Sequence, residues 1–386
     1  MSENFIRTLT EIHQQKHMNT IRNLIKEQIP CGFFLGFTID PNIFEQVLKL
    51  KQAGLNIQVL CVIDETGREK INTDGMLLVT SKKLLRMEEK PQWMLVQDTS
   101  FDLYFTRLGI QTLMTPFMRN RDYDYEFAYA HLSNLFETYN LFKDEESKIS
   151  YRQSIKGRMT GKLSDYHFAP EPQYWLQGFF PVKDDVVIDG GAYDAGTSVD
   201  FASQGAKVFA FEMDSLNYEK CLERISNYNY DITMENMGLS SEENYIAYAD
   251  SGSSGSYRIR GDVAPAGGGV SHFIDIDTYV KRKKIDRIDY IKLDIEGSEL
   301  DCLKGAAKSI SRWKPKMAIS AYHRPEDLWT LAEFVKSIRT DYEFAFRHYR
   351  IDFHDYIFND EQRNILLDHG VDLFIPTDWE MVLYCK

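Results

Sequence analysis

The sequence predicts an α/β protein with two parallel-sheet regions, the second larger and more regular than the first. Three observations point there. Short runs of β-branched and apolar residues alternate with helix-length amphipathic segments along most of the chain. Many of those runs are apolar throughout, as in strands covered on both faces. At 386 residues the chain suits two domains better than one.

In order along the chain, an amphipathic helix over about Asn4 to Gln28 leads into an apolar run, Cys31 to Thr38. A helix follows in PNIFEQVLKLKQAGLN, with Pro41 suited to its first turn and Gly54 to its end. IQVLCVIDE reads as a buried strand, SKKLLRMEEK as a helix and WMLVQD as a further strand. This β-α-β-α-β order makes a small α/β domain over residues 1–122. Its Gly32 to Gly36 stretch lacks the spacing of a dinucleotide loop, so a structural or dimerising role is preferred over nucleotide binding. An aromatic-rich helical connector occupies residues 123–180, with KDEESK as a solvated face.

The larger domain, residues 181–386, offers the strands DVVIDG, KVFAFE, ITMENMG, IDYIKLD, KMAISAY, YEFAFRHY and WEMVLYC. Asp214-Ser215 can cap a helix whose Tyr218, Cys221, Leu222 and Ile225 share one face. Ser298 can cap another carrying Leu300, Leu303, Ala307 and Ile310, stopped by Pro315. No crossover helix separates the last two strands, which suggests antiparallel pairing at that edge.

Composition narrows the partners. The net charge of −13 argues against nucleic acid or an anionic membrane, which need clustered Lys and Arg. The one basic run, Lys281 to Lys284, reads as a solvated helix end. No apolar stretch of about 18 residues predicts a membrane span. The five cysteines include no CxxC pair, so neither a disulfide framework nor a zinc site is suggested. The start of the chain is polar rather than signal-like, and a cytoplasmic protein is expected.

Chemistry concentrates at VVIDGGAYDAGTS, a strand, a glycine turn and a helix start. Glu212 ends the next strand 22 residues after Gly190, where an acid can accept hydrogen bonds from ribose hydroxyls. The glycines do not follow G-x-G-x-x-G. Asp189 and Asp194 bracket the turn, and no Lys or Arg stands in it, so a pyrophosphate would be repelled. A cofactor with a positive centre suits the turn better, and S-adenosylmethionine (SAM) has both a sulfonium and a ribose. A second cluster lies in IDYIKLDIEGSELDCLKGA, where Asp294 ends a strand and Glu296 and Glu299 follow.

Together VIDGGAYDAGTS, FAFEMD, DIDTY, IDYIKLDIEGSELDCLKGA and SAYHRPEDLW resemble the FkbM family of SAM-dependent methyltransferases, over about Asp185 to Lys386. The resemblance implies a class I methyltransferase Rossmann-like seven-stranded sheet with an antiparallel hairpin at one edge, preceded here by the smaller α/β domain. It implies O-methylation of a small molecule or saccharide hydroxyl. On it, Asp189, Gly190, Gly191, Ala192, Tyr193, Asp194 and Ser198 surround the methionine part of SAM. Glu212 holds the ribose, and Met213, Asn236 and Met237 touch the adenine. By their place at the strand ends, Asp294, Glu296 and His323 are the candidates for positioning the acceptor and removing its proton, against a His323 that bonds a neighbouring backbone group and a Glu296 that bonds the amides of its own turn. Lys292 either pairs with a carboxylate or assists the acceptor oxygen.

No metal is expected, carboxylates bonded to backbone and solvent being preferred over a cation held by Asp294, Glu296 and Glu299. The small-residue loop Ala249 to Ser271 is expected to cover the acceptor through Ser253, Ser254 and Arg258. A homodimer through the N-terminal domain is a further expectation. The competing functions are an NAD(P)-dependent oxidoreductase and a non-catalytic protein that binds SAM or a nucleotide sugar.

Overall fold

The computed structural model describes residues 17–36, 41–63, 73–96, 104–105, 108–114, 125–160, 165–250, 256–258, 269–352, 364, 374–375 and 379–386. The chain divides into two units. One comprises Met1–Leu132, Arg152–His167 and Arg350–Asp378; the other comprises Ser133–Tyr151, Phe168–Tyr349 and Trp379–Lys386. The stretch expected as a connector is thus shared between the units, and residues 350–378 group with the first.

The first unit holds a five-stranded parallel sheet. Its strands are β1 (Cys31–Phe34), β2 (Ile57–Val62), β3 (Leu77–Thr80), β4 (Trp93–Val96) and β5 (Gln111–Met114), in the order β3-β2-β1-β4-β5. The sequence led to three of these. Leu77–Thr80 and Gln111–Met114 escape because the first runs straight into the helix Ser81–Arg86 and the second carries the polar Gln111 and Thr112. Pro41 opens the helix Pro41–Gln52, and Gly54 takes φ +105 after its end. Gly36, in the loop weighed for nucleotide binding, takes φ +81; residues 37–40 lie outside the described residues.

The large sheet of the second unit has seven strands: β6 (Val186–Gly190), β7 (Lys207–Phe211), β8 (Ile232–Glu235), β13 (Tyr290–Leu293), β14 (Lys316–Ser320), β15 (Phe344–His348) and β18 (Met381–Cys385). Between β8 and β13 in sequence come β9 (Gly238–Leu239), β10 (Asn244–Asp250), β11 (Ser256–Arg258) and β12 (Gly269–Ile274), and β16 (Ile351–Asp352) and β17 (Phe374–Ile375) pair with each other in the first unit. They stand in the order β15-β18-β14-β13-β6-β7-β8. β18 runs antiparallel to both of its neighbours, β14 and β15, and the other pairings are parallel. The antiparallel edge is therefore made by the last strand slipping between β14 and β15. Strands β13, β15 and β18 are buried at every position, Lys292, Arg347 and His348 included, which explains their mainly apolar pattern. Tyr290, Phe201, Val208 and Tyr384 share one core, each contributing on the order of 1.5–3 kcal/mol through burial.

Two helix expectations change. Asp214 does cap Ser215–Ile225, its carboxylate accepting from Leu216 N and Asn217 N. Ser298 stands at the N-terminus of Glu299–Gly305 but makes no capping bond. That helix also ends at Gly305, and Ala307–Trp313 is a separate one. A Cβ on Gly305 would lie 2.3 Å from Ser240 O, so close packing against another backbone sets the break. The basic run does end a helix, Ile276–Lys283, where Arg282 pairs with Glu243 and Lys283 with Glu235.

The loop expected over Ala249 to Ser271 is in part a sheet. Asn244–Asp250 pairs antiparallel with Gly269–Ile274 and with Ser256–Arg258, and Gly238–Leu239 completes four strands. Ser253 and Ser254 lie outside the described residues, and Arg258 has a described backbone only. The small residues between 251 and 268 hide the strands that flank them. All five cysteines are buried and free. No helix among the described residues is long and apolar enough to cross a membrane.

Candidate active site

In the large sheet the strand order reverses between β6 and β13. The chain moves outward through β7 and β8, then returns to lay β13 on the other side of β6. Ligands of open α/β sheets bind beyond the carboxyl ends of strands at such a switch. Both signature segments end there.

The glycine turn lies directly on the end of β13. Asp294 N donates to Gly190 O at 3.1 Å. Gly191 has φ +76, and a Cβ there would stand 1.8 Å from Asp294 O, so glycine alone fits. Tyr193 and Ala195 are also left-handed, at φ 55 and 61, without that freedom. The surroundings hold them: Gly191 N and Ala192 N donate to Phe211 O at 3.0 and 2.9 Å, and Tyr193 N donates to Glu212 Oε2 at 2.8 Å.

Glu212 is buried, and Asp214 N donates to its other oxygen at 2.9 Å. Burial pushes its carboxyl up to about 7, against backbone bonds that favour the charge. Each oxygen carries one backbone N–H and keeps accepting capacity for a hydroxyl. Alongside, Asn236 Nδ2 donates to Glu212 O at 3.0 Å, and Ser271 Oγ donates to Met213 O at 3.1 Å. Met213, Asn236 and half-buried Met237 thus gather at the ends of β7 and β8.

The charge of the turn differs from its sequence. Asp189 and Lys292 are register partners on adjacent strands, and their side chains stand 3.1 Å apart, both buried. Asp194 pairs with Arg224 at 2.5 Å, because the helix Ser215–Ile225 brings that arginine back to the turn. Neither cation lies within the turn itself. The two bracketing aspartates are therefore compensated, and acidity alone does not choose the cofactor. Lys292 takes the pairing alternative: its Nζ also donates to Gly190 O at 3.1 Å and Gly191 O at 2.7 Å. Burial disfavours its charge, but Asp189, Asp294 and Glu212 hold its pKa above the usual value. Ser198 is fully buried and donates to Asp189 Oδ2 at 2.5 Å, so it braces the turn instead of facing a ligand.

The acceptor-side candidates do converge. His323 Nε2 stands 3.5 Å from Asp294 Oδ1 and 3.5 Å from Glu296 Oε2, and its Nδ1 stands 2.8 Å from Glu299 Oε1. Burial opposes a charged imidazole, yet Glu299, Asp294 and Glu296 raise its pKa to about 10. The three carboxylates thus favour the protonated imidazole in this arrangement. Glu296 is half-exposed, with φ 53 forced by the tight turn into Gly297 at φ +90. Partial burial and the neighbouring carboxylates push its carboxyl up, with His323 opposing.

Four further residues complete the cluster. Tyr174 Oη donates to Asp294 Oδ2 and Tyr322 Oη to Asp294 Oδ1, each at 3.1 Å. Burial, then the charge of Asp294, keeps both phenols protonated and donating. Tyr322 Oη also reaches Glu380 Oε1 at 3.4 Å, and Gln173 donates to the other Glu380 oxygen. Burial and Asp294 raise Glu380 to about 7. Tyr322, beside His323 in SAYHRPEDLW, was within reach of sequence reasoning. Tyr174, Gln173 and Glu380 come from distant segments with no local signature.

Residues 189–356 match the family model described as Methyltransferase FkbM domain. The chain carries an FkbM methyltransferase domain. The methyltransferase FkbM of Methylobacillus flagellatus KT has the same fold along the whole chain: 18% identity, 100% of this chain and 98% of that one covered, TM-score 0.68. A precorrin-6y C5,15-methyltransferase from Geobacter metallireducens matches 54% of this chain and 82% of its own at 10% identity and TM-score 0.32. A Pyrococcus abyssi tRNA (uracil-54, C5)-methyltransferase in complex with S-adenosylhomocysteine matches 53% of this chain and 34% of its own at 14% identity and TM-score 0.26. No curated protein matches the chain. The FkbM domain makes the protein a SAM-dependent methyltransferase and removes the oxidoreductase alternative.

Proposed function

We propose that the protein is an O-methyltransferase that places the methyl group of SAM on a hydroxyl of a small molecule or saccharide. The observation that carries this reading is the approach of the glycine turn to Asp294, which sets donor-binding and acceptor-side residues against one another. The donor set fits SAM. It comprises a turn that a single Cβ would fill, a buried carboxylate with spare accepting capacity for ribose hydroxyls, and Met213 with Asn236 and Met237 for the adenine.

SAM, when bound, supplies the methyl group: its C–S bond breaks as the O–C bond forms, and the acceptor loses one proton. The chain's own residues do the rest. The 190–194 turn and Glu212 fix the donor's place. Tyr174 and Tyr322 clamp both oxygens of Asp294, so that carboxylate is oriented before an acceptor arrives. Such preorganisation is where orientation effects on the order of 7–11 kcal/mol arise. Asp294 and the half-exposed Glu296 receive the acceptor hydroxyl. Glu296 takes its proton, since His323 already holds one.

The test is transfer of isotopically labelled methyl from SAM to pools of sugars, glycan precursors and hydroxylated metabolites. The expected product carries the label on oxygen. Label on nitrogen, carbon or sulfur only would refute the O-methyl reading.

A further inference from the structure

The ring of His323 is held at one nitrogen and left open at the other. Nδ1 stands 2.8 Å from Glu299 Oε1, an oxygen that also accepts from Ile295 N at 2.9 Å. A carboxylate only accepts, so Nδ1 is the donor of that bond. Glu299 is fully buried in the first turn of the helix Glu299–Gly305, and its oxygen ties the ring to the turn after β13. Nε2 has no hydrogen-bond partner among the described residues, on a side chain only 9% exposed. It lies between two carboxylates, 3.5 Å from Asp294 Oδ1 and 3.5 Å from Glu296 Oε2. Those distances give charge attraction but are too long for an N–H···O bond. A buried N–H without an acceptor is costly, and an oxygen atom arriving between Asp294 and Glu296 would satisfy it.

We propose that His323 is a catalytic residue whose Nε2–H donates to the acceptor oxygen, and that Glu299 is the positioning residue that aims it. The proposal rests on the methyltransferase reading of this pocket. In that reading the C–S bond of SAM breaks as the O–C bond forms, and the hydroxyl proton passes to Glu296. Negative charge gathers on the acceptor oxygen as that proton leaves. A donor fixed beforehand where charge develops stabilises it without reorganising, an effect of about 10²–10³ in kcat for a single such donor. His323 keeps both of its protons throughout, and Glu296, at the half-exposed mouth, is the group that exchanges one.

The surroundings of the ring favour the charged form this role needs. Glu299, Asp294 and Glu296 oppose the effect of burial on it. Asp327, which begins the helix Asp327–Ile338, and Glu380, just before β18, also interact with its charge. The ring of Tyr322 lies 4.1 Å away, centroid to centroid, and packs against it. Of the three nearest carboxylates only Glu299 makes a hydrogen bond to the ring, and it holds the nitrogen away from the acceptor.

The experiment follows the full chain, with nitrogen-labelled histidine, by nuclear magnetic resonance from pH 6 to 10, with S-adenosylhomocysteine in the donor site. The His323 signals are assigned by their loss in His323→Leu. In the parent both ring nitrogens should carry protons at pH 7, and the ring should lose one only towards about 10. In Glu299→Gln the midpoint should fall by about 1–3 pH units, because one opposing charge is gone. Glutamine keeps an oxygen for Ile295 N and the shape of the side chain, so a merely structural Glu299 predicts no movement. Transfer of labelled methyl from SAM to the sugar and metabolite pools is read alongside. His323→Leu should lower kcat by about 10²–10³ with SAM affinity within about twofold. Glu299→Gln should lose activity progressively as pH rises through its lowered midpoint. A neutral His323 ring at pH 7 in the parent overturns the assignment even if both variants fail to fold. An unmoved midpoint in Glu299→Gln, or unchanged kcat in His323→Leu, overturns it as well. Those failures with methyl transfer intact defeat this assignment alone. A parent whose ring is charged and answers to Glu299 but which methylates no oxygen defeats the O-methyl reading, and the catalytic role with it.

Discussion

Gly191→Ala puts the closest contact in the site under direct test. The substituted residue must keep φ near +76, a conformation costing an L side chain about 1–2 kcal/mol. Its Cβ would also sit 1.8 Å from Asp294 O, a backbone atom that cannot swing aside as a side-chain tip can. Relieving such overpacking costs typically about 1–3 kcal/mol. Together the domain should lose about 2–5 kcal/mol, a fall in Tm of about 4–20 °C at 2–4 °C per kcal/mol for a domain of this size. SAM affinity should fall at least tenfold, because moving the turn off Asp294 also moves Tyr193 N away from Glu212. Gly190→Ala is the internal control. Its Cβ would meet side-chain ends, those of Leu239 and Leu293 at 3.0 Å and Ile295 at 3.4 Å, so it should cost about 1 kcal/mol. Differential scanning calorimetry and isothermal titration with SAM read both effects. A Gly191→Ala protein that melts within about 1 °C of the parent and binds SAM equally would refute the contact.

Other expectations follow from the same geometry. Glu296→Gln should lower kcat by about 10²–10⁴-fold while SAM affinity stays within about twofold; unchanged turnover would remove Glu296 as the base. Lys292→Met strands the buried Asp189 carboxylate and should cost about 3–5 kcal/mol, seen as a large drop in Tm with no selective loss of kcat. Glu212 with its carboxyl at about 7 must be charged to accept ribose hydroxyls, so SAM affinity should be flat above about pH 8 and fall as pH drops through 7. Titrations of SAM from pH 6 to 9 check this, and Glu212→Gln should abolish the dependence. The same raised pKa means the folded chain holds this proton more tightly than the unfolded one. Its contribution to stability is therefore lost as pH rises from the ordinary carboxyl value towards 7.

The large sheet was legible because its strands are buried and read as short, mainly apolar runs, IDYIKLD and WEMVLYC among them. Strands Leu77–Thr80 and Gln111–Met114, and the four-stranded sheet around Asn244–Asp250, were not. The first two are short, and the stretch beside Asn244–Asp250 is rich in small residues. At the site, the residues after β6 and β13 were identifiable from local sequence. Their charges were not. Lys292 meets Asp189 only through strand register, and Arg224 meets Asp194 only because a helix returns to the turn. The electrostatic preference for a cationic cofactor counted acids and missed those partners. His323 was placed correctly beside Asp294 and Glu296, but its protonation depends on Glu299 stacking a third carboxylate around it. Tyr174 and Glu380 reach Asp294 from either end of the domain, a convergence that only folding creates.

The central claim is that the turn at Gly191 and the carboxylates after β13 together carry methyl transfer to oxygen. Incubating the full chain with SAM bearing a labelled methyl and a hydroxyl-rich metabolite pool, then following both products by mass spectrometry, tests it most directly. The account predicts S-adenosylhomocysteine and an O-methylated product in equal amounts, with turnover lost in Asp294→Ala while SAM still binds within about tenfold. Full turnover in Asp294→Ala, or SAM that binds and is never consumed in the presence of any hydroxyl compound, would contradict it.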